Sequence, residues 1–473
     1  MAKKKSKGKK LAEKLSYKKK NFWEKADQAL KESALAFNDD YRDYLNAGKT
    51  ERKVVEKTLN MIKDGGYDEL TDQTENGKKF YKVNRKKNIA IARLGKKDIS
   101  HGFRLIVSHI DSPRIDIKQM PLFEDSSADV SLLYTHYYGG IKKYQWMAIP
   151  LALYGTVIKE NGESVEIEIG DKEGDPVFTF SDLLPHLSAK QYKKKLNEAI
   201  DAQKLRLTFG SIPYPDDEVK EKIKLNCLNI LNERYGIEEE DFISAELELV
   251  PAFSAKDVGI DRGLLGSYGH DDRVCAYTSL KALLEAEQPE YTSIVFLADK
   301  EEIGSEGNTG AKSNFIIDFI ADLIDFSGHN SSEKLRKILR KSKILSADVN
   351  AAINPLFSEV YEKQNAPKIG CGVTVTKFTG ARGKGGANDA NAEFVAEIRA
   401  LFNKNDINWQ IGEIGKVDEG GGGTIAKFMA EYGPDVIDCG PPVHGMHSPF
   451  EVVSKGDVYS AYLAYKVFFE NRK

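Results

Sequence analysis

The chain has 473 residues, 41% hydrophobic and 30% charged, with a formal net charge of -3. That length exceeds one ordinary core and points to two or three domains, the apolar fraction excludes a mainly disordered chain, and no apolar run reaches the ~18–20 residues that span a bilayer. The first residues carry no hydrophobic signal segment, and the four cysteines (Cys227, Cys275, Cys371, Cys439) show no paired spacing, which argues against a disulfide framework or a thiolate zinc site and fits a reducing cytoplasm.

The near-neutral total hides an asymmetry. Residues 1–20 hold ten lysines against one glutamate, a charge of +9, which leaves -12 on the remainder. A lysine-rich arm can bind polyanions. This one has no arginine and only Tyr17 as an aromatic residue, so base stacking is poorly supported. It reads as a solvated tail leading into a helix, with neither nucleic acid nor membrane as the expected partner.

Phe22, Trp23, Ala26, Leu30, Ala34 and Phe37 recur at helical spacing, and a second helical run covers 51–62. Gly65-Gly66 stops it. Residues 88–93 read as a strand. A short apolar strand over 104–108 ends in His109-Ile110-Asp111-Ser112-Pro113, where the proline prevents a regular central strand from continuing.

From about 116 to 255 the texture changes to strand-like segments at 147–153, 156–158, 165–169 and 245–250, interrupted by a lysine-rich stretch over 190–205 and an acidic one over 215–240. After Pro251 strands and helices alternate again. Helices are expected at 274–285, 314–324, 333–341, 391–400, 424–431 and 455–471, and strands at 293–297, 344–346, 410–414 and 435–438. The expected fold class is therefore α/β: a doubly wound domain with a central mixed sheet, interrupted by an inserted mainly β domain. The first part spans 1–115, the insert 116–255, and the second part 256–473.

Four short apolar strands are followed at once by polar clusters. They deliver His109 and Asp111; Asp299, Glu301 and Glu302; Asp348; and His444 with His447. Ligand sites of open α/β sheets lie outside the carboxyl ends of the strands, so these clusters would converge on one edge. Gly269-His270-Asp271-Asp272-Arg273 opens a helix that could face the same edge. Crowded carboxylates repel one another unless cations separate them. Oxygen ligands mixed with imidazole suit zinc, cobalt or manganese, and two such ions can act on one water and one carbonyl. Adjacent Glu301 and Glu302 point different ways, so one can coordinate while its neighbour serves as general base. Asp111 could orient the His109 ring. Asp272 could be a ligand, a helix cap or an Arg273 partner, and His270 any of these.

In chain order, His109-Ile110-Asp111-Ser112-Pro113, Asp271-Asp272-Arg273, Glu301-Glu302-Ile303-Gly304-Ser305, Ser346-Ala347-Asp348 and Met446-His447-Ser448 resemble the motifs of the aspartyl aminopeptidase family, the M18 metallopeptidases. The resemblance implies that His109 and Asp348 bind one metal, that Glu302 and His447 bind the other, that Asp271 bridges them, and that Glu301 is the general base, with Asp111 assisting. It implies two divalent ions per subunit, zinc foremost, with cobalt or manganese as options. His447 matches the Met-His-Ser motif; His444 reads as a loop residue. The resemblance also makes the insert a dimerisation domain, and dimers the units of a dodecamer. Leu184-Pro185-His186-Leu187 resembles a segment whose histidine, here His186, reaches a neighbouring subunit's active site.

Acidic-residue preference in the family depends on basic groups near the site, and the glycine-rich stretch 377–389 offers several cations. It lacks P-loop spacing and is expected to have no strand leading straight into it. The expected function is a cytoplasmic dinuclear metal aminopeptidase removing N-terminal residues from peptides, acidic ones among the candidates. The alternatives are a related metal carboxypeptidase or deacylase, or a non-catalytic scaffold on a peptidase frame.

Overall fold

The structure, a computed structural model, describes residues 6–470. The segments that read as unbroken apolar runs lie side by side. Thr292–Ala298, Phe103–His109, Lys343–Ser346 and Asp435–Gly440 are parallel neighbours in that order. Parallel strands covered on both faces show continuous hydrophobic runs instead of alternation. Successive side chains still go to opposite faces. Ile106, Val295, Leu297, Leu345 and Ile437 join one core. Leu105, Val107, Ile294, Phe296, Ile344 and Val436 join the other.

The first core is covered by helices Gln28–Ala47, Glu51–Lys63, His270–Glu285 and Lys455–Glu470, the second by Phe315–Phe326 and Ser331–Leu339. This is the doubly wound layering. The sheet becomes mixed at its flanks, where Asn88–Arg93 runs antiparallel to Thr292–Ala298, and Val373–Thr376 antiparallel to Asp435–Gly440. Among the described residues it has nine strands. Asp27 starts the Gln28–Ala47 helix by accepting from Leu30 N at 2.8 Å, a cap worth about 1 kcal/mol.

A second sheet interrupts this domain. Six antiparallel strands pair in the order Ser164–Ile169, Leu151–Ile158, Ala245–Pro251, Arg114–Asp125, Val130–Tyr138 and Arg206–Gly210, around a core of their own. The two strands expected at 147–153 and 156–158 are one, Leu151–Ile158. Gly155 keeps that ladder intact. It pairs with Leu247 at a φ of 143°, and a Cβ there would lie 1.9 Å from the Glu246 carbonyl oxygen. The strands Arg114–Asp125, Val130–Tyr138 and Arg206–Gly210 and the helix Lys222–Tyr235 lie outside the sequence reading.

A third, five-stranded sheet includes Glu451–Ser454 and Pro442–His444, and leads the chain from the central sheet to His447. Of the basic arm, residues 1–5 lie outside the described residues. Lys7–Leu15 is a helix with no buried residue, and Tyr17 then lies against Trp409, with ring centroids 6.3 Å apart. Among the described residues no helix is long and apolar enough to cross a membrane.

Candidate active site

The four parallel strands end on one edge of the sheet, and the polar residues that follow them meet there. His109 closes Phe103–His109. Glu301 and Glu302 sit in the turn Glu301–Ile303 beyond Thr292–Ala298, and Asp348 follows Lys343–Ser346. Asp271 enters from the mouth of the His270–Glu285 helix, where Asp271 and Asp272 keep non-helical dihedrals. His447 arrives by way of the third sheet.

Two ligand sets result. One donor atom each from His109, Asp271 and Asp348 lie within 4.8 Å of one another, and so do donors from Asp271, Glu302 and His447. Asp271 belongs to both. His109 Nε2 is 3.1 Å from Asp271 Oδ1, and His447 Nε2 is 3.2 Å from Asp271 Oδ2 and 3.4 Å from Glu302 Oε2.

The tautomers follow from the opposite side of each ring. His109 Nδ1 donates to the Asp111 carbonyl at 3.0 Å, and His447 Nδ1 donates to the Gly140 carbonyl at 3.0 Å. A carbonyl only accepts, so each neutral imidazole turns the lone pair of Nε2 towards Asp271. Asp271 Oδ1 and Glu302 Oε1 are buried and have no aligned hydrogen-bond donor, although His109 Nε2 is close to the former.

The electrostatics fit cations in both sets. Burial, then the Asp271 charge, pushes the Glu302 carboxyl well above its ordinary value, and burial likewise raises Asp348. Burial alone would lower His447, but Asp271 and Glu302 outweigh it and lift the imidazole to about 10. A crowd of acids that pulls protons onto its histidines is a field that two divalent ions would neutralise. Oxygen and imidazole donors of this kind suit zinc. Glu301 belongs to neither set. Burial, reinforced by Asp111 and Asp271, holds its carboxyl up at about 7.

Asp111 sits beneath the site. Its Oδ1 is 3.3 Å from His109 Nδ1 and accepts from Glu301 N at 3.1 Å. Its Oδ2 accepts from Glu302 N at 3.2 Å and from the Tyr138 hydroxyl at 2.8 Å. Other sequence candidates have structural partners instead. Asp272 Oδ2 accepts from His109 N at 3.3 Å, and Arg273 donates to the Lys49 carbonyl at 2.9 Å. His270 bonds the Tyr41 hydroxyl at 2.8 Å and the Leu265 carbonyl at 3.1 Å, and burial lowers it to about 3. Asp299 accepts from Thr309 Oγ1 at 2.6 Å, and His444 bonds the Ile353 carbonyl at 3.0 Å. His186 is exposed in the turn Pro185–Leu187, beside Leu183, Leu184 and Leu187, which are 46%, 48% and 66% exposed.

Sequence reasoning missed Glu451. It is 1% exposed. Its two oxygens accept from Asp271 N at 2.9 Å and His447 N at 2.7 Å, so one carboxylate holds Asp271 and His447 in register. The available signal was an acid set among apolar residues four positions after His447.

His109, Asp271, Glu301, Glu302, Asp348 and His447 line a cleft of about 500 Å³ whose facing wall includes Ile414, Gly421, Gly422, Gly423, Lys427, Phe428 and Met446. A larger hollow of about 830 Å³ is lined by Lys79, Arg93, Lys96 and Lys97 at the opposite edge of the sheet, where Arg93 pairs with Ser293. Contrary to expectation, a strand, Val373–Thr376, does lead into the glycine-rich stretch. Two of the three cations there are engaged: Lys377 and Lys384 both pair with Asp389, at 2.7 and 3.0 Å.

The model of the Aminopeptidase I zinc metalloprotease family (M18) matches residues 44–469. The Probable M18 family aminopeptidase 1 of Clostridium acetobutylicum is 45% identical over 458 residues, which cover 96% of this chain and 98% of that protein. The crystal structure of an M18 aminopeptidase from Thermotoga maritima shares 47% identity at a TM-score of 0.92, covering 97% of this chain and 100% of that one. The yeast mApe1 dodecamer shares the fold at 23% identity and a TM-score of 0.72, covering 92% and 96%. The matched family and the relatives agree: the chain belongs to the M18 aminopeptidases, a family of zinc metallopeptidases that hydrolyse peptide bonds.

Proposed function

We propose that the protein is a dinuclear aminopeptidase in which His109, Asp271 and Asp348 hold one cation and Asp271, Glu302 and His447 the other. The observation that carries this reading is the pair of ligand sets sharing Asp271, with Glu301 beside them in one cleft. Two zinc ions supply Lewis acidity towards a carbonyl oxygen and lower the pKa of water. Glu301, poised near 7, takes a proton from the attacking water and returns it to the leaving amine. Asp111 and Glu451 keep His109, the 301–302 turn, Asp271 and His447 in place. The free α-amino group of the peptide is held by the acids of the cleft. The four cysteines are all unpaired, in keeping with a cytoplasmic setting.

The family resemblance makes acidic N-terminal residues the first choice, and Lys427 is the lysine on the cleft wall that would meet them. A second reading, apolar first residues, is favoured by Ile414, Phe428 and Met446 on the same wall. A panel of unblocked and N-acetylated aminoacyl substrates, with wild type and Lys427→Met, tests both. Acetylation is expected to abolish cleavage. If acidic residues are preferred, Lys427→Met costs at least tenfold in kcat/KM on them and leaves leucine substrates unchanged. Equal cleavage of blocked and free substrates contradicts an aminopeptidase and favours a deacylase or carboxypeptidase.

The assembly is a homo-oligomer built from dimers through the six-stranded sheet, with His186 reaching a neighbour's cleft. The exposed histidine on its apolar turn supports this, as does the shared fold of the yeast dodecamer. Solution mass by light scattering is expected to be a multiple of the 52.8 kDa chain; a monomer that is fully active contradicts it.

A further inference from the structure

The strand Val130–Tyr138 belongs to the inserted sheet, yet its end reaches the cleft on both sides. Tyr138 Oη donates to Asp111 Oδ2 at 2.8 Å, and Asp111 in turn faces His109 Nδ1. Two residues on, the Gly140 carbonyl accepts the Nδ1 proton of His447 at 3.0 Å. Between them Gly139 packs on Glu302: a Cβ there would lie 3.3 Å from the Glu302 Cβ.

The phenol is aimed by its surroundings. The Arg114 guanidinium lies 3.9 Å from the Tyr138 ring centroid. Arg114 is itself held by Asp116 at 2.8 Å and Glu248 at 3.3 Å, both on the inserted sheet, and by Glu51 at 3.6 Å, on the Glu51–Lys63 helix of the other domain. The ring is therefore clamped at the junction of the two units.

We propose that this strand end is a positioning element for both cation positions, setting His109 through the Tyr138 hydroxyl and Asp111, and setting His447 through the Gly140 carbonyl. The inserted domain is then part of the catalytic centre within its own chain, apart from any role in assembly. The inference rests on the dinuclear reading above. Outer partners of a ligating imidazole fix its tautomer and ring orientation, and their loss costs about 10–100-fold in metal affinity or activity. Tyr138→Phe removes one donor from Asp111 and keeps the ring under Arg114. Gly140→Ala places a Cβ 3.1 Å from His447 Nδ1 and obliges that ring to move.

The test is zinc titration of the metal-depleted full-length protein, with thermal midpoints measured alongside. His109→Ala and His447→Ala identify the two binding steps by abolishing one each. Tyr138→Phe is expected to weaken the His109-dependent step by about 10–100-fold, and Gly140→Ala the His447-dependent step by a similar factor, with the Tyr138→Phe midpoint unchanged. Wild-type affinities at both steps in Tyr138→Phe overturn the proposal. So does an equal shift of both steps accompanied by a lowered midpoint, the signature of a purely structural role. A wild-type protein that takes up fewer than two zinc ions removes the dinuclear reading instead, and this proposal with it.

Discussion

Glu301→Gln is expected to keep both zinc ions and to lose about 10²–10⁴ in kcat, the range assigned to a positioned acid–base group. The physical grounds are specific. Glu301 lines the cleft but contributes to neither ligand set. Burial and its acidic neighbours raise its carboxyl to about 7, and it stands in the cleft beside both sets without joining either. Glutamine preserves the shape of the side chain and leaves the Glu301 amide on Asp111 Oδ1, 3.1 Å away. Steady-state turnover paired with metal analysis checks this. Turnover within tenfold of wild type contradicts the role, and loss of zinc alongside activity would make Glu301 a ligand instead.

Asp271→Asn is expected to empty both positions together. Asp271 is the one residue common to the two sets, with Oδ1 towards His109 and Oδ2 towards His447. The amide removes the charge that both cations share and retains the backbone bond to Glu451 Oε2 at 2.9 Å, so the effect is electrostatic and not a collapse of the loop. Removing one partner of a buried charge cluster costs on the order of 3–5 kcal/mol, roughly 10²-fold to 4 × 10³-fold in affinity. Equilibrium zinc binding reads it directly. Retention of two ions at wild-type affinity rules out the bridging role, and loss of only one assigns Asp271 to a single position.

The residues of the two candidate ligand sets were legible in the sequence for a physical reason. The strand ends stand out because parallel strands buried on both faces are short unbroken apolar runs, and His109, Glu301, Glu302 and Asp348 come immediately after such runs. The partners that hold those ligands were not legible, because their roles arise only from chain crossings. Glu451 meets Asp271 across 180 residues, and Gly140 meets His447 across 307.

Parts of the inserted domain were hidden for a different reason. Arg114–Asp125 alternates charged and apolar residues, contains Pro121, and shifts register between Ile117 and Leu122. No clean period of two survives along it. The helix Lys222–Tyr235 buries Ile223, Cys227 and Leu231 at helical spacing, but it lacks a side-chain N-cap, and the acidic residues around it dominated the reading. Val373–Thr376, four residues long, falls below what a periodic signal can mark.

The central claim is that two cations, held by ligand sets sharing Asp271, make this M18 chain an aminopeptidase. Zinc titration into metal-depleted protein, read as hydrolysis of an unblocked aminoacyl substrate, tests it most directly. The predicted result is no turnover without metal and a rise that saturates at two equivalents per chain. Full activity without metal, or saturation at one equivalent, contradicts it.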